Sequence, residues 1–62
     1  MELKRLVKEM FSKDVEQLQE IESIEMVLLL NESNDRTGKK VSIFDVLKVD
    51  NLNDLNDLLF GE

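Results

Sequence analysis

Large apolar residues open the chain at a helical beat. Leu3, Leu6, Val7, Met10, Phe11, Val15, Leu18, Ile21 and Ile24 follow one another at spacings of 3, 1, 3, 1, 4, 3, 3 and 3. At about 100° per residue these positions share roughly half of a helical wheel, and no Gly or Pro interrupts them. The pattern predicts one long amphipathic helix over residues 2–24.

The beat then changes. Met26-Val27-Leu28-Leu29-Leu30 is the longest run of consecutive large apolar residues. Continuing the same wheel through it puts Val27 and Leu30 off the apolar arc. A short apolar run with a β-branched member, bounded by turn residues, has the form of a buried strand. Asn34-Asp35-Arg36-Thr37-Gly38 follows and carries the strongest turn signal in the chain, because Asn, Asp and Gly all tolerate positive φ. Beyond it Val41 and Ile43 alternate with polar neighbours. The expected fold is therefore α+β, in the order α-β-β-α, with a hairpin of strands over 25–32 and 39–45. An all-α helical bundle is the alternative. Ser42-Ile43-Phe44-Asp45 has the form of a capping box with Asp in place of the usual Glu, which would open a short helix over 43–48.

The C-terminal segment is helical on either branch. Asp50 can cap it, with Asn51 as the second candidate, Leu52, Leu55, Leu58 and Leu59 mark its apolar face, and Gly61 follows Phe60. The stretch from Val46-Leu47-Lys48-Val49 through Leu55 to Leu58-Leu59-Phe60-Gly61-Glu62 resembles the last helix of small phage-type helix-turn-helix repressors. In that family these positions pack the domain and do not touch DNA. The basic recognition helix has no counterpart in this chain, and the likeness assigns no family.

Composition sharpens the picture. Sixty-two residues make a single domain, 1–62, and a chain so short buries only about 60% of its unfolded surface. With no Cys and no His it has neither a disulfide nor a zinc site to support it. Twenty-six residues are Leu, Ile, Val, Met or Phe, and none is Ala. That is more large apolar surface than a small two-layer domain readily hides, so a homo-oligomer or a standing protein partner is expected. The residues expected at such an interface are Leu3, Val7, Met10, Phe11, Leu18 and Ile21 on the first helix, with Val27 and Leu29 on the central run.

Charge follows an unusual order. Residues 2–13 carry Lys4, Arg5, Lys8 and Lys13 against Glu2 and Glu9, a net of +2, while residues 14–25 carry Asp14, Glu16, Glu20, Glu22 and Glu25, a net of −5. A helix macrodipole favours the reverse order. Three readings fit. Ser12 could break the helix and cap a second one. Two such helices could pair antiparallel, basic half against acidic half. Or the face is simply solvated.

A net charge of −6 argues against direct binding to nucleic acid and to anionic membrane surfaces, and suits a basic protein partner. No apolar run approaches membrane-spanning or signal-peptide length, so a cytoplasmic location is expected and the Asn31-Glu32-Ser33 sequon is incidental. Asp50, Asp54 and Asp57 recur at spacings of 4 and 3, giving the last helix an acidic face. A calcium loop would need an oxygen ligand where Leu52 stands. Arg36, Lys39 and Lys40 gather at the loop and the start of the next segment, where they could meet an acidic partner, although lysines at a strand start more commonly guard a sheet edge.

General acid–base chemistry would fall to carboxylates and lysines alone, and there is no glycine-rich phosphate loop. No enzyme activity, small-molecule substrate, cofactor or metal is expected. The sequence predicts a non-catalytic protein–protein interaction module, a small acidic regulator or adaptor acting as a homo-oligomer. Two alternatives are a structural assembly subunit of the phage-particle type and a DNA-mimic inhibitor of a basic DNA-binding protein.

Overall fold

The first helix stops at Ser12. In a computed structural model of the chain, which describes residues 1–61, α1 spans Glu2–Phe11 and Ser12 turns left-handed (φ 56°). Its N–H closes on the Lys8 carbonyl at 2.9 Å. Ser12 therefore ends a helix instead of capping the next one.

The apolar beat runs on past this point, but irregular chain carries it. Residues 13–22 hold only a 3₁₀ turn, Leu18–Glu20, and still deliver Val15 and Ile21 to the interior. Lys13 staples this connector, donating to the Glu20 carbonyl at 2.8 Å and to the Glu25 carboxylate at 2.6 Å. The Glu20 carboxylate accepts from the backbone N–H of Glu16 (2.6 Å) and of Gln17 (3.3 Å).

The central apolar run is helical. α2 spans Ser23–Thr37 and starts with the Glu22 N–H donating to the Glu25 carboxylate at 2.9 Å. The break at Ser12 resets the helical phase, so Met26, Leu29, Leu30 and Ser33 point inward on a wheel of their own. Ser33 is fully buried, and its hydroxyl donates to the Leu30 carbonyl at 3.2 Å. The turn signal at Asn34–Gly38 is the last turn of α2 plus its terminator. Gly38 adopts φ 76°, and its N–H meets the Asn34 carbonyl at 2.8 Å.

Two short pieces finish the chain. α3, Ile43–Val46, opens on the Ser42–Asp45 capping box, in which the Ser42 N–H donates to the Asp45 carboxylate at 3.0 Å. α4, Leu52–Phe60, is capped by Asn51, whose side-chain oxygen accepts from the Asp54 N–H at 2.8 Å. Asp50 stands outside the helix. α4 packs against both α1 and α2. Leu3, Leu6, Val7, Leu29, Leu55 and Leu59 meet in the centre and are essentially inaccessible, each worth roughly 1.5–3 kcal/mol. α1 has no cap of its own, and Asn56 of α4 supplies one by accepting from the Leu3 N–H at 2.9 Å.

The fold is thus all-α, and the expected α+β hairpin is corrected: among the described residues there is no strand. A two-stranded ribbon needs a third strand or a helical cover, whereas helical residues 26–30 pair their backbone within the segment. The second proposed strand finds a side-chain partner. The Asn34 amide donates to the Val41 carbonyl at 2.9 Å and accepts from the Val41 N–H at 3.1 Å, satisfying in one residue what a ladder would have supplied. The long helix over 2–24 is corrected with it. Lysines guarding a sheet edge have no edge to guard. Lys39 instead reaches the C-terminal end of α4, donating to the carbonyls of Leu58 and Gly61.

Candidate functional site

Most of the residues expected at an interface lie inside this fold. Leu3, Val7, Ile21 and Leu29 are buried, and Met10, Phe11 and Leu18 pack half-buried against the core. Val27 alone stands on the surface. Further apolar residues, none of them among those expected at an interface, are also exposed. Ile24 is 70% exposed, Val27 50% and Leu28 45%; on α3 Phe44 is 72% exposed with Ile43 also open, and Leu47, which ends that helix, is 75% exposed.

The exposed residues of α2 form a ridge. Positions 24, 27 and 28 sit at i, i+3 and i+4, opposite the inward line of Met26, Leu29, Leu30 and Ser33. Asn31 and Asp35 continue the same line as exposed polar positions. A signal for this ridge was present in the sequence, since a run of five apolar residues in a helix must turn some of them outward. The segment leading into α3 is anchored on α2. The Asn34 amide holds Val41 on the flank of α2 that, two turns earlier, carries Val27. Ile43 is two residues beyond that clamp, within about 7 Å along the chain.

Electrostatics separates this ridge from the rest of the surface. The inverted charge order is resolved within the chain: Lys4 pairs with Glu16 at 3.2 Å, Lys8 with Asp14 at 3.5 Å and Lys13 with Glu25 at 2.6 Å, the acidic connector folding back along the basic helix. Arg36 bridges Glu32 at 2.8 Å and Glu9 at 3.3 Å. The hydrogen bond to Glu32, with the charge of Glu9, lifts its guanidinium above the ordinary range. Two cations on or beside α2, Arg36 and Lys13, are therefore both engaged. Acids mark its ends: Glu20 and Glu22 before Ile24, Asp35 beyond Leu28. Lys40 and Lys48, on the α3 side, make no ion pair among the described residues.

The proposed acidic face is divided. Asp54 and Asp57 are exposed on α4, but Asp50 precedes its cap, and Asp50 and Asp54 both accept from the Asn51 amide at 3.0 Å. No group of three potential metal ligands gathers among the described residues. A shallow groove of about 220 Å³ lies between the connector and the start of α4, lined by Glu16, Gln17, Leu18, Gln19, Asp50, Asn51 and Leu52.

The carboxylates whose titration the structure displaces are all pushed down. Backbone N–H groups of Glu16 and Gln17 do this at Glu20, the Lys13 ammonium at Glu25, and the Ser42 N–H at Asp45. These three are kept charged, away from the raised values a general acid needs. No helix among the described residues is long and apolar enough to cross a membrane. Comparison with protein-family models, with curated proteins and with solved structures finds no match for this chain.

Proposed function

We propose that the chain is a non-catalytic protein-interaction module, a small acidic adaptor or regulator that holds another polypeptide against the outer face of α2 and the adjoining α3. One observation carries this reading. The fold closes a core of twelve buried apolar residues, yet leaves Ile24, Val27 and Leu28 of α2, Ile43 and Phe44 of α3, and Leu47 just past it open. Uncovered apolar surface of that kind marks interaction sites, and these side chains contribute little to the monomer that would justify their exposure.

The test compares the wild-type chain with Leu28→Asn and Phe44→Ser. Both sites are exposed, so stability should change by no more than about 0.5 kcal/mol, as is typical of surface substitutions. Sedimentation of the pure chain over a concentration series reports self-association. Immobilised chain with host extract reports other partners. The reading predicts one stoichiometric polypeptide, or a second copy, bound by wild type and lost from both variants. A chain that stays monomeric and retains nothing, or whose retention ignores both substitutions, defeats it.

A further inference from the structure

We infer that the occupant of the α2 ridge is a basic amphipathic helix of a partner protein, seated along Ile24, Val27 and Leu28 with its cations reaching Glu22 and Asp35. This rests on the interaction reading above and specifies its partner. The shape of the ridge selects a helix. Apolar side chains at i, i+3 and i+4 pack into the grooves of another helix. Strand addition needs a free sheet edge, and the described residues contain no strand.

Charge selects the sign. The line from Ile24 to Asp35 covers about 16 Å of helix, with acid at both ends. Lys13 and Arg36 are held by Glu25, Glu9 and Glu32, and Lys40 and Lys48, unpaired among the described residues, belong to the α3 segment, not to this line. A second copy fits this ridge poorly. Laid antiparallel, it brings the Glu20–Glu22 end of each chain beside Asp35 of the other. Laid parallel, it sets each acid against its own equivalent. Both arrangements also join two chains of net charge −6. A basic helix instead meets complementary charge, which steers its approach and fixes its direction.

Two synthetic peptides of about 18 residues, long enough to hold a helix, test this. Both carry a Leu stripe at i, i+3, i+4 and i+7. One has Lys at its polar positions and the other has Glu. A single Trp in each gives a clean signal, because the chain has no Trp or Tyr. The Lys peptide should bind one to one. Its affinity should fall about tenfold or more with Ile24→Asn/Leu28→Asn, a few-fold with Glu22→Gln/Asp35→Asn, and about tenfold or more between low and high salt. The Glu peptide should bind at least tenfold more weakly.

Equal binding of the two peptides overturns the basic occupant. So does Lys-peptide binding that ignores Ile24→Asn/Leu28→Asn, which would be attraction to the acidic surface as a whole. If the pure chain self-associates more strongly as salt rises, and Leu28→Asn abolishes this, the occupant is a second copy: the interaction reading then stands and this inference falls. If neither peptide nor second copy needs the face, both fall.

Discussion

At the scale of single residues, two serines do unlike work: the sequence offers Ser12 as a break, though as the cap of a following helix, and gives no sign that Ser33 is buried. Ser33 lies among polar residues of α2, yet it is wholly buried because its small side chain fits where α2 meets the core and its hydroxyl is satisfied one turn back at Leu30. Ser12 is the more consequential. It is the only non-glycine among the described residues with positive φ, a conformation that costs an L-residue roughly 1–2 kcal/mol, and its side chain makes no hydrogen bond to repay that. Glycine is the usual occupant of this helix-ending position. Ser12→Gly should therefore stabilise the fold by about 0.5–1 kcal/mol, after allowing for the freer unfolded chain. Thermal melting should rise by roughly 2–8 °C for a domain of this size. An unchanged or lower melting temperature would show that the hydroxyl has a role in the folded state.

At the scale of elements, what was legible was local. The Ser42–Asp45 capping box, the Asn51 cap, the leucine face of α4 and Gly38 as a chain reverser are all set by neighbours within four residues. The sequence carries each signal, although the box belongs to the all-α alternative, Asn51 stands second to Asp50, and the pattern puts Gly38 in a hairpin loop instead of at a helix end. The boundaries of the first helix and the nature of the second were not. The beat from Leu3 to Ile24 persists across the break because Val15, Leu18 and Ile21 pack against the same core from irregular chain. Periodicity records which side chains go inward, not which backbone takes them there. Likewise the exposed half of α2 made residues 26–30 look unlike an amphipathic helix. The proposed site was legible at one position for the same reason: of the residues expected at an interface only Val27 lies on it, and its neighbours Ile24 and Leu28 become a ridge only once α2 has its own phase.

Long-range caps were invisible, since Asn56 serves Leu3 and Lys39 serves α4 across the fold. Lys39 places a cation at the negative end of the α4 dipole. Lys39→Met keeps the apolar stem but removes that charge and its hydrogen bonds, and should cost about 0.5–1.5 kcal/mol. The loss should be measurable by urea denaturation. Lys40→Met, at an exposed neighbour with no such contact, should cost nothing measurable.

At the scale of the whole molecule, the chain behaves as its own partner. Its radius of gyration, 10.3 Å, matches the roughly 10.6 Å expected of a compact domain of this length, and the acidic connector neutralises the basic helix that it would otherwise have sought on another copy. Stability should therefore depend on keeping particular carboxylates ionised. Glu25, Glu20 and Asp45 titrate below their ordinary values of 4.5, 4.5 and 3.8, so each binds its proton less readily when folded than when unfolded. A group lowered in this way contributes stability that is present above its unfolded value and lost as pH falls through its folded one. Melting temperature should stay nearly level from pH 7 to pH 5 and then fall below about pH 4.5. General repulsion among the excess acids acts oppositely, since protonation relieves it in the same interval. The two are separable. Glu25→Gln should lower stability at pH 7, where the charged hydrogen bond from Lys13 is lost, and leave a shallower acid fall. Asp57→Asn, which touches no cation in the structure, should leave the slope unchanged or make it slightly steeper. Should melting temperature climb steadily from pH 7 to pH 3, repulsion among the acids outweighs the Lys13 staple and the carboxylate caps, and the stability of this fold is governed by its net charge.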